Sequence, residues 1–533
     1  MTEKNELNIL KYLRTFPNFL LNSSLFGLSV IIILSLLLRF NYFVPEIPLT
    51  HDALDYFFYA MDTSILGHLP VNYSPQNNGW PVFLSLFFSF FKFDDGISYL
   101  QIQRILSIVL SVSTIIPIYL LCRRFVGKPE SLIGSAIFAF EPRLIGNSLF
   151  GLTEPLYILL CSLSLVFFLS NSKKLIYSSF GFIALATMVR SEAIFLFIGL
   201  SIIFFIRFRN NKLVLPKYLP ALVIFVLLLL PMSLYRIEVL GDDAIIGRVV
   251  DGMERTQTGY MSQGILVGLE NYFKFLGWDL LPLFILFAPI GFFLILKNLN
   301  YQKMTIIIST LLMSLPAIYA YSVPALDTRF LFILYPMFCI FSVLTITKFV
   351  QRFSKKNYLL ILILGMLFLT SIIFIEYKIL DIEYEKDAFF VAQYLVASPN
   401  VFNDYSESKY LESTDIFKNW DKIKPYFFVE REKGLSVRSN IVHNFTVIPI
   451  DGFDTLEDFI QKNNGLTVLV IENKKSHPEF MLDVFNNEEK YPYLIKELDT
   501  SSDEYFYHVK IFRIDYEKFI EQYGKLILLK ENK

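Results

Sequence analysis

Residues 49–62 read LTHDALDYFFYAMD and follow closely on the apolar run FLLNSSLFGLSVIIILSLLLRF. Asp52, Asp55 and Asp62 stand among aromatics at a position where a membrane span more often ends in basic anchors. Further ionisable side chains recur at the ends of apolar segments. Arg104 lies in SYLQIQRILSIVL, Arg143 and Glu154 in FEPRLIGNSLFGLTEPLYILL, Arg190 and Glu192 in ATMVRSEAIFLF, and Arg329 in PALDTRFLFILYP. A charge at the centre of a bilayer costs about 2.5–3.5 kcal/mol on insertion scales, so keeping these groups needs a reason. A carboxylate can take a proton from a hydroxyl, and a guanidinium can engage two oxygens of an anion at once. Each residue also has a plainer reading. Arg104 serves equally as an interfacial anchor, Arg190 and Glu192 as markers of a helical hairpin, and Glu154 as an acid favoured by a helix N-terminus. Asp55 and Asp62 read as solvated interface groups.

Which reading holds depends on the elements that position these residues. The 533 residues are 54% hydrophobic and only 18% charged, with a mean hydropathy of +0.49. Several runs reach the roughly 20 apolar residues that cross a hydrocarbon core. This is the signature of a polytopic α-helical membrane protein. The first run is too long for a signal peptide and lacks a small-residue cleavage site, so it reads as a retained helix. Eleven spans fit: 19–40, 98–122, 131–149, 152–170, 174–189, 192–207, 217–236, 279–298, 304–321, 328–348 and 357–376. Every second connection is basic (CRRFVGK, NSKK, RFRNNKLVLPK, KNLNYQK, KFVQRFSKKN), as is the N-terminus with Lys4, Lys11 and Arg14. Basic short loops stay cytoplasmic. The N-terminus is therefore expected inside a multi-pass cell-membrane protein. Outer loops 41–97 and 237–278 and the C-terminal part are expected outside. On that assignment Asp52, Arg104, Glu154, Arg190, Glu192 and Arg329 all reach one extracytoplasmic face, which argues a polar site. DALDYFFYAMDTSILG has helical spacing and is expected to lie in the interface, and GWPVFLSLFFSFF is expected to be interfacial too.

Charge divides the chain in two. Residues 1–376 carry 28 Lys and Arg against 21 Asp and Glu, whereas residues 377–533 carry 20 against 28. The second part alternates β-branched runs (FTVIPI, LTVLVIE, YHVKIFRID) with polar helical stretches, the pattern of a small α/β domain. Domains 1–376 and 377–533 follow. Cys122, Cys161 and Cys339 all lie in or beside apolar runs, so neither a disulfide framework nor a thiolate metal site is suggested.

The ordered set of an outward Asp loop, GWPVF, an Arg-bearing second helix, CRRFVGK, GLTEPLYILL and RSEAIF resembles the GT-C superfamily of integral-membrane glycosyltransferases. It is most similar to the protein-mannosyltransferase-like branch that uses polyprenyl-phosphate sugars. Asp52, Tyr56, Gly79, Pro81, Arg104 and Glu154 fall on that branch's motif positions, and TRFLFILYPMF places Arg329 on its late-helix arginine. The resemblance covers about residues 41–345. Ala53 departs from it where a second acid often follows, so a two-carboxylate metal site is not carried over. The Trp-Trp-Asp-Tyr-Gly motif of oligosaccharyltransferases is absent, Trp80, Trp278 and Trp420 being isolated.

What the resemblance implies is a mannosyltransferase-like enzyme, moving a sugar from a polyprenyl-phosphate donor to a protein, lipid or glycan acceptor on the outer side, with inversion. Asp52 would be the base, with Glu154 orienting sugar or acceptor. Arg329 and then Arg104 would hold phosphate or organise the site, with Tyr56, Arg190 and Glu192 as further contacts. The cofactor stays open: a divalent metal is compatible with the chemistry, yet no residue cluster indicates one. Membrane lipid is an implied partner and nucleic acid is not. An oligosaccharide ligase of the same superfamily is the alternative within the class. A transporter is the alternative outside it, and would favour internal repeats and charges near the midplane.

Overall fold

The computed structural model describes residues 23–45, 51–70, 77–93, 96–210, 213–241, 264–323 and 326–378, with shorter stretches between 383 and 523. Most of the outer loop 237–278 lies outside the described residues. The chain forms two compact units. One comprises Met1–Phe43, Asp55–Lys92 and Ser98–Tyr377; the other comprises Val44–Leu54, Phe93–Ile97 and Lys378–Lys533.

The first unit is helical. Among the described residues six helices are long and apolar enough to cross a membrane: Ser24–Asn41, Ser98–Cys122, Val214–Val239, Tyr301–Ser322, Thr328–Val350 and Lys356–Tyr377. They differ in burial. Thr328–Val350 is 78% buried across its apolar window, but Val214–Val239 only 17%. The latter exposes Leu227 and Leu234 by more than half their surface, as Lys356–Tyr377 exposes Leu362 and Ile373. Such contiguous apolar surface suits lipid and not water. The helical expectation for DALDYFFYAMDTSILG is met by helix His51–Leu66, and GWPVFLSLFFSFF forms the short helix Gly79–Phe90.

Several expected spans are broken instead of continuous. Residues 131–149 form Lys128–Ala139 and Pro142–Ser148, separated at Phe140 and Glu141. Pro142 lacks an N–H and opens the second helix, while the Glu141 side chain accepts from the Arg143 backbone N–H as its cap. Residues 279–298 likewise divide into the end of helix Ile265–Asp279 and the short helix Ala288–Ile295. The span from residue 328 begins as a 3₁₀ turn, Thr328–Leu334, before helix Tyr335–Val350. These breaks place irregular backbone beside the charged residues.

The second unit carries a five-stranded sheet: β1 Ser408–Leu411, β2 Phe445–Ile448, β3 Leu466–Glu472, β4 Leu494–Asp499 and β5 Val509–Ile514. Its order is β2-β1-β3-β5-β4, with β1 parallel to β2 and β3, and β5 antiparallel to β3 and β4. The register pairs Val470 with Ile511. Helices Leu456–Lys462 and Glu479–Asn486 bury Phe459, Val484 and Phe485 against Leu469, Ile471 and Phe512. This is the α/β texture expected of residues 377–533.

Candidate active site

The site grows from a tight turn. Gly151 has φ +70°, a conformation that suits glycine, and its carbonyl accepts from Trp80 Nε1 at 3.0 Å and Gln103 Nε2 at 2.9 Å. The turn leads to Thr153 and to helix Glu154–Phe168, with Pro155 in its first turn. Glu154 is therefore held at a helix N-terminus, where partial positive charge favours a carboxylate. It is only 2% exposed, and a buried carboxylate needs a partner. Arg190 supplies it, with Nη1 2.7 Å from Glu154 Oε1, and Asn147 Nδ2 donates to the other oxygen at 3.3 Å.

Arg190 reaches Glu154 because helix Lys173–Val189 stops at it. Its backbone is extended (φ −147°, ψ 120°) before the 3₁₀ turn Ser191–Ala193. Gly79 permits this corner to pack. A Cβ there would lie 2.6 Å from the Met188 carbonyl carbon, so only glycine lets helix Gly79–Phe90 approach that backbone. Besides Glu154, the guanidinium donates to Thr153 Oγ1 at 3.4 Å and Glu192 Oε1 at 3.4 Å, and its carbon sits 5.9 Å from the Tyr157 ring centre. Burial opposes the charge on Arg190, but the carboxylates of Glu192 and Glu154 outweigh it and push its pKa above the ordinary value. Tyr56, on helix His51–Leu66, is close enough to act on the same charge.

Facing this group, Asp327 caps the 3₁₀ turn and accepts from the backbone N–H of Arg329 at 2.9 Å and from its Nε at 2.6 Å. Glu154, Tyr157, Arg190, Glu192 and Arg329 line a small cleft between the two. Met313, Pro316, Phe330 and Ile333 complete its lining. A lining that mixes charged and apolar side chains suits contact with an amphiphilic molecule.

The structure brings together Glu154, Arg190, Glu192 and Arg329, with Tyr56 within electrostatic reach. Arg104 stands apart from the cleft lining. Its Nε donates to the Leu149 carbonyl at 2.7 Å and its guanidinium lies 4.7 Å from the Phe43 ring centre, so it braces the chain just before the Gly151 turn. Asp52 is exposed in the first turn of helix His51–Leu66 and falls in the other unit. Tyr157 and Asn147 were missed by sequence reasoning. Tyr157 follows Glu154 by three residues in EPLY, a spacing that puts both on one helix face. Among the described residues no three His, Cys, Asp or Glu side chains gather closely enough to hold a metal ion.

A second charged group lies in the same unit. Arg143 sits 3.5 Å from Glu141 and 3.6 Å from Asp279, both carboxylates being fully buried. Its other donors go to the carbonyls of Leu281 and, at 2.7 Å, Trp278.

Residues 80–235 match the family described as Dolichyl-phosphate-mannose-protein mannosyltransferase. That stretch holds Arg104, Glu154, Tyr157, Arg190 and Glu192 but neither Asp52 nor Arg329. Among solved structures, the chain is similar to the Archaeoglobus fulgidus oligosaccharyltransferase in complex with Zn and sulfate. The TM-score is 0.54 at 13% identity, over 84% of this chain and 67% of that one. It is similar also to ArnT from Cupriavidus metallidurans bound to undecaprenyl phosphate, with TM-score 0.53 at 10% identity, over 91% of this chain and 98% of that one. The Archaeoglobus oligosaccharyltransferase tethered to an acceptor peptide matches with TM-score 0.52 at 13% identity, over 91% of this chain and 74% of that one. No curated protein matches the chain in sequence. At such identities the likeness is one of fold.

Proposed function

We infer from its fold, that of the GT-C superfamily of membrane glycosyltransferases, that this protein transfers a sugar from a polyprenyl-phosphate donor to an acceptor. The transfer takes place on the extracytoplasmic side. The observation that carries the reading is the cleft in a membrane unit, whose lining divides by type into two guanidiniums, two carboxylates and a tyrosine on the one hand and four apolar side chains on the other. A lipid-linked sugar phosphate has the same division into polar head and hydrocarbon.

In the proposed reaction the acceptor hydroxyl oxygen attacks the anomeric carbon as the bond from that carbon to the phosphate oxygen breaks. Polyprenyl phosphate departs, and direct displacement inverts the anomeric centre. Phosphate leaves readily, so the protein's tasks are to hold it, to take the acceptor's proton and to keep out water. Arg329 is assigned to the departing phosphate, because a guanidinium stays charged and can engage two oxygens together. Asp52 is assigned to receive the proton. Glu154, fixed by Arg190 and Asn147, orients the sugar, while Arg104 organises the turn that carries it.

The topology is part of the proposal. Eleven crossings with the N-terminus inside would leave residues 377–533 extracytoplasmic. A cysteine placed at Ser502, which is exposed, should then react with an impermeant thiol reagent in intact cells. Labelling only after lysis would reject the orientation.

The activity is tested by giving the protein in native membranes labelled C55 polyprenyl-phosphate mannose or glucose, or a lipid-linked oligosaccharide, and weighing the products. A product heavier by one hexose supports the reading. Transfer of the whole oligosaccharide would instead support the ligase reading, for which the likeness to an oligosaccharyltransferase speaks. No transfer from any of them would reject it.

A further inference from the structure

The cleft holds a buried hydroxyl, that of Tyr157, with no use inside the protein among the described residues. Tyr157 is 3% exposed, lines the cleft, and its hydroxyl has no hydrogen-bond partner among the described residues. A buried hydroxyl left unsatisfied costs stability, so its retention points to a ligand that completes it. The ring beside it is already engaged by the Arg190 guanidinium. What remains free is the hydroxyl, which can both donate and accept.

Charge decides what it would meet. Tyr157 shares its end of the cleft with Glu154, Glu192 and Arg190, two carboxylates against one cation. A phosphate would be repelled there, whereas a neutral hydroxyl-bearing group would find donors and acceptors together. We propose that the Tyr157 hydroxyl hydrogen-bonds a hydroxyl of the sugar being transferred, making Tyr157 a sugar-specificity residue of the cleft. This rests on the transferase reading above. The phosphate is left to the Arg329 end of the cleft.

Tyr157→Phe removes the hydroxyl alone and keeps the ring over which Arg190 lies. Three measurements on the full chain in membranes or detergent decide the matter. The variant should melt within about a degree or two of wild type, because no internal hydrogen bond is lost. It should bind sugar-free C55 polyprenyl phosphate as wild type does. Its affinity for C55 polyprenyl-phosphate mannose or glucose, whichever wild type prefers, should fall about tenfold, the effect of one hydrogen bond. Its preference between the two sugars should narrow as well.

A drop of many degrees in melting would mean that the hydroxyl has an internal partner, and would overturn the proposal whatever the activity. A parallel loss of affinity for the sugar-free lipid would place Tyr157 on the phosphate, and wild-type behaviour toward the glycosylated lipids would leave it no ligand; either overturns the proposal. Failure of wild type itself to bind any of the three lipids would instead remove the transferase reading, and this inference with it.

Discussion

Two arginines in the membrane unit are each set between two carboxylates, and they do different things with the same parts. The Arg143 and Arg190 side chains are almost equally exposed, 14% and 17%. The carboxylates around Arg143 are wholly buried, while those around Arg190 are 3% and 22% exposed. Arg143 sends its remaining donors to the carbonyls of Trp278 and Leu281 and lies 5.3 Å from the Phe374 ring centre. It braces a break in the helices by donating to carbonyls on either side of residue 280. Arg190 donates only to side chains among the described residues and borders a cleft. A guanidinium whose donors all end on backbone and buried acids is cement; one whose partners line a cavity is available to a ligand. Charge in a membrane protein therefore does not by itself mark function.

Asp52→Asn removes the proposed base and leaves both clusters intact. Turnover should fall about 10²–10⁴-fold, with melting and donor binding unchanged, while Asp55→Asn costs little. Measured rates in which Asp55→Asn is the more damaged of the two would reassign the base. Arg143→Ala should act in the opposite sense. It strips the counter-charge from two buried carboxylates, a loss of about 3–5 kcal/mol, read as a lower melting temperature and poor recovery of folded protein. If Arg143→Ala melts normally but is inactive, the division between sealed and open clusters is wrong.

Arg190→Ala should lower transfer more than it lowers melting, because water entering the cleft can solvate Glu154, which a sealed cluster does not allow. Arg190→Lys should recover part of the activity by restoring the charge without the fork. Equal losses in melting for Arg190→Ala and Arg143→Ala would make the two clusters alike. The smallest effect is expected at Arg329, which is already paired with Asp327. Loss of one charge-assisted contact to the donor phosphate is worth about 1.5–3 kcal/mol, so Arg329→Ala should weaken donor binding about ten- to a hundredfold. Arg329→Lys should fall between it and wild type. Titration with C55 polyprenyl-phosphate mannose or glucose measures both variants, and unchanged affinity in both would put the phosphate elsewhere.

Much of this protein was legible from residue types in order. Hydropathy runs and a split in charge separate a membrane part from an acidic α/β part, because bilayer thickness and strand periodicity are local demands on the chain. Glu154, Arg190, Glu192 and Arg329 could be singled out for a related reason, since a charge at the edge of an apolar run is conspicuous. Their partners could not. Residues 154 and 190 meet only because Gly79 lets two helix backbones close to contact and Gly151 turns the chain beneath Trp80 and Gln103. The breaks at Glu141 and after Asp279 were hidden within runs that look continuous, because apolarity measures burial and is blind to where a helix stops. In the sequence Arg143, Arg104 and Arg190 all stand at the ends of apolar runs, and only Arg104 and Arg190 were assigned to the site. Tertiary structure decided that Arg143 is sealed, that Arg104 braces a carbonyl, and that Arg190 borders a cleft, because a guanidinium's role depends on which acceptors packing brings within about 3 Å.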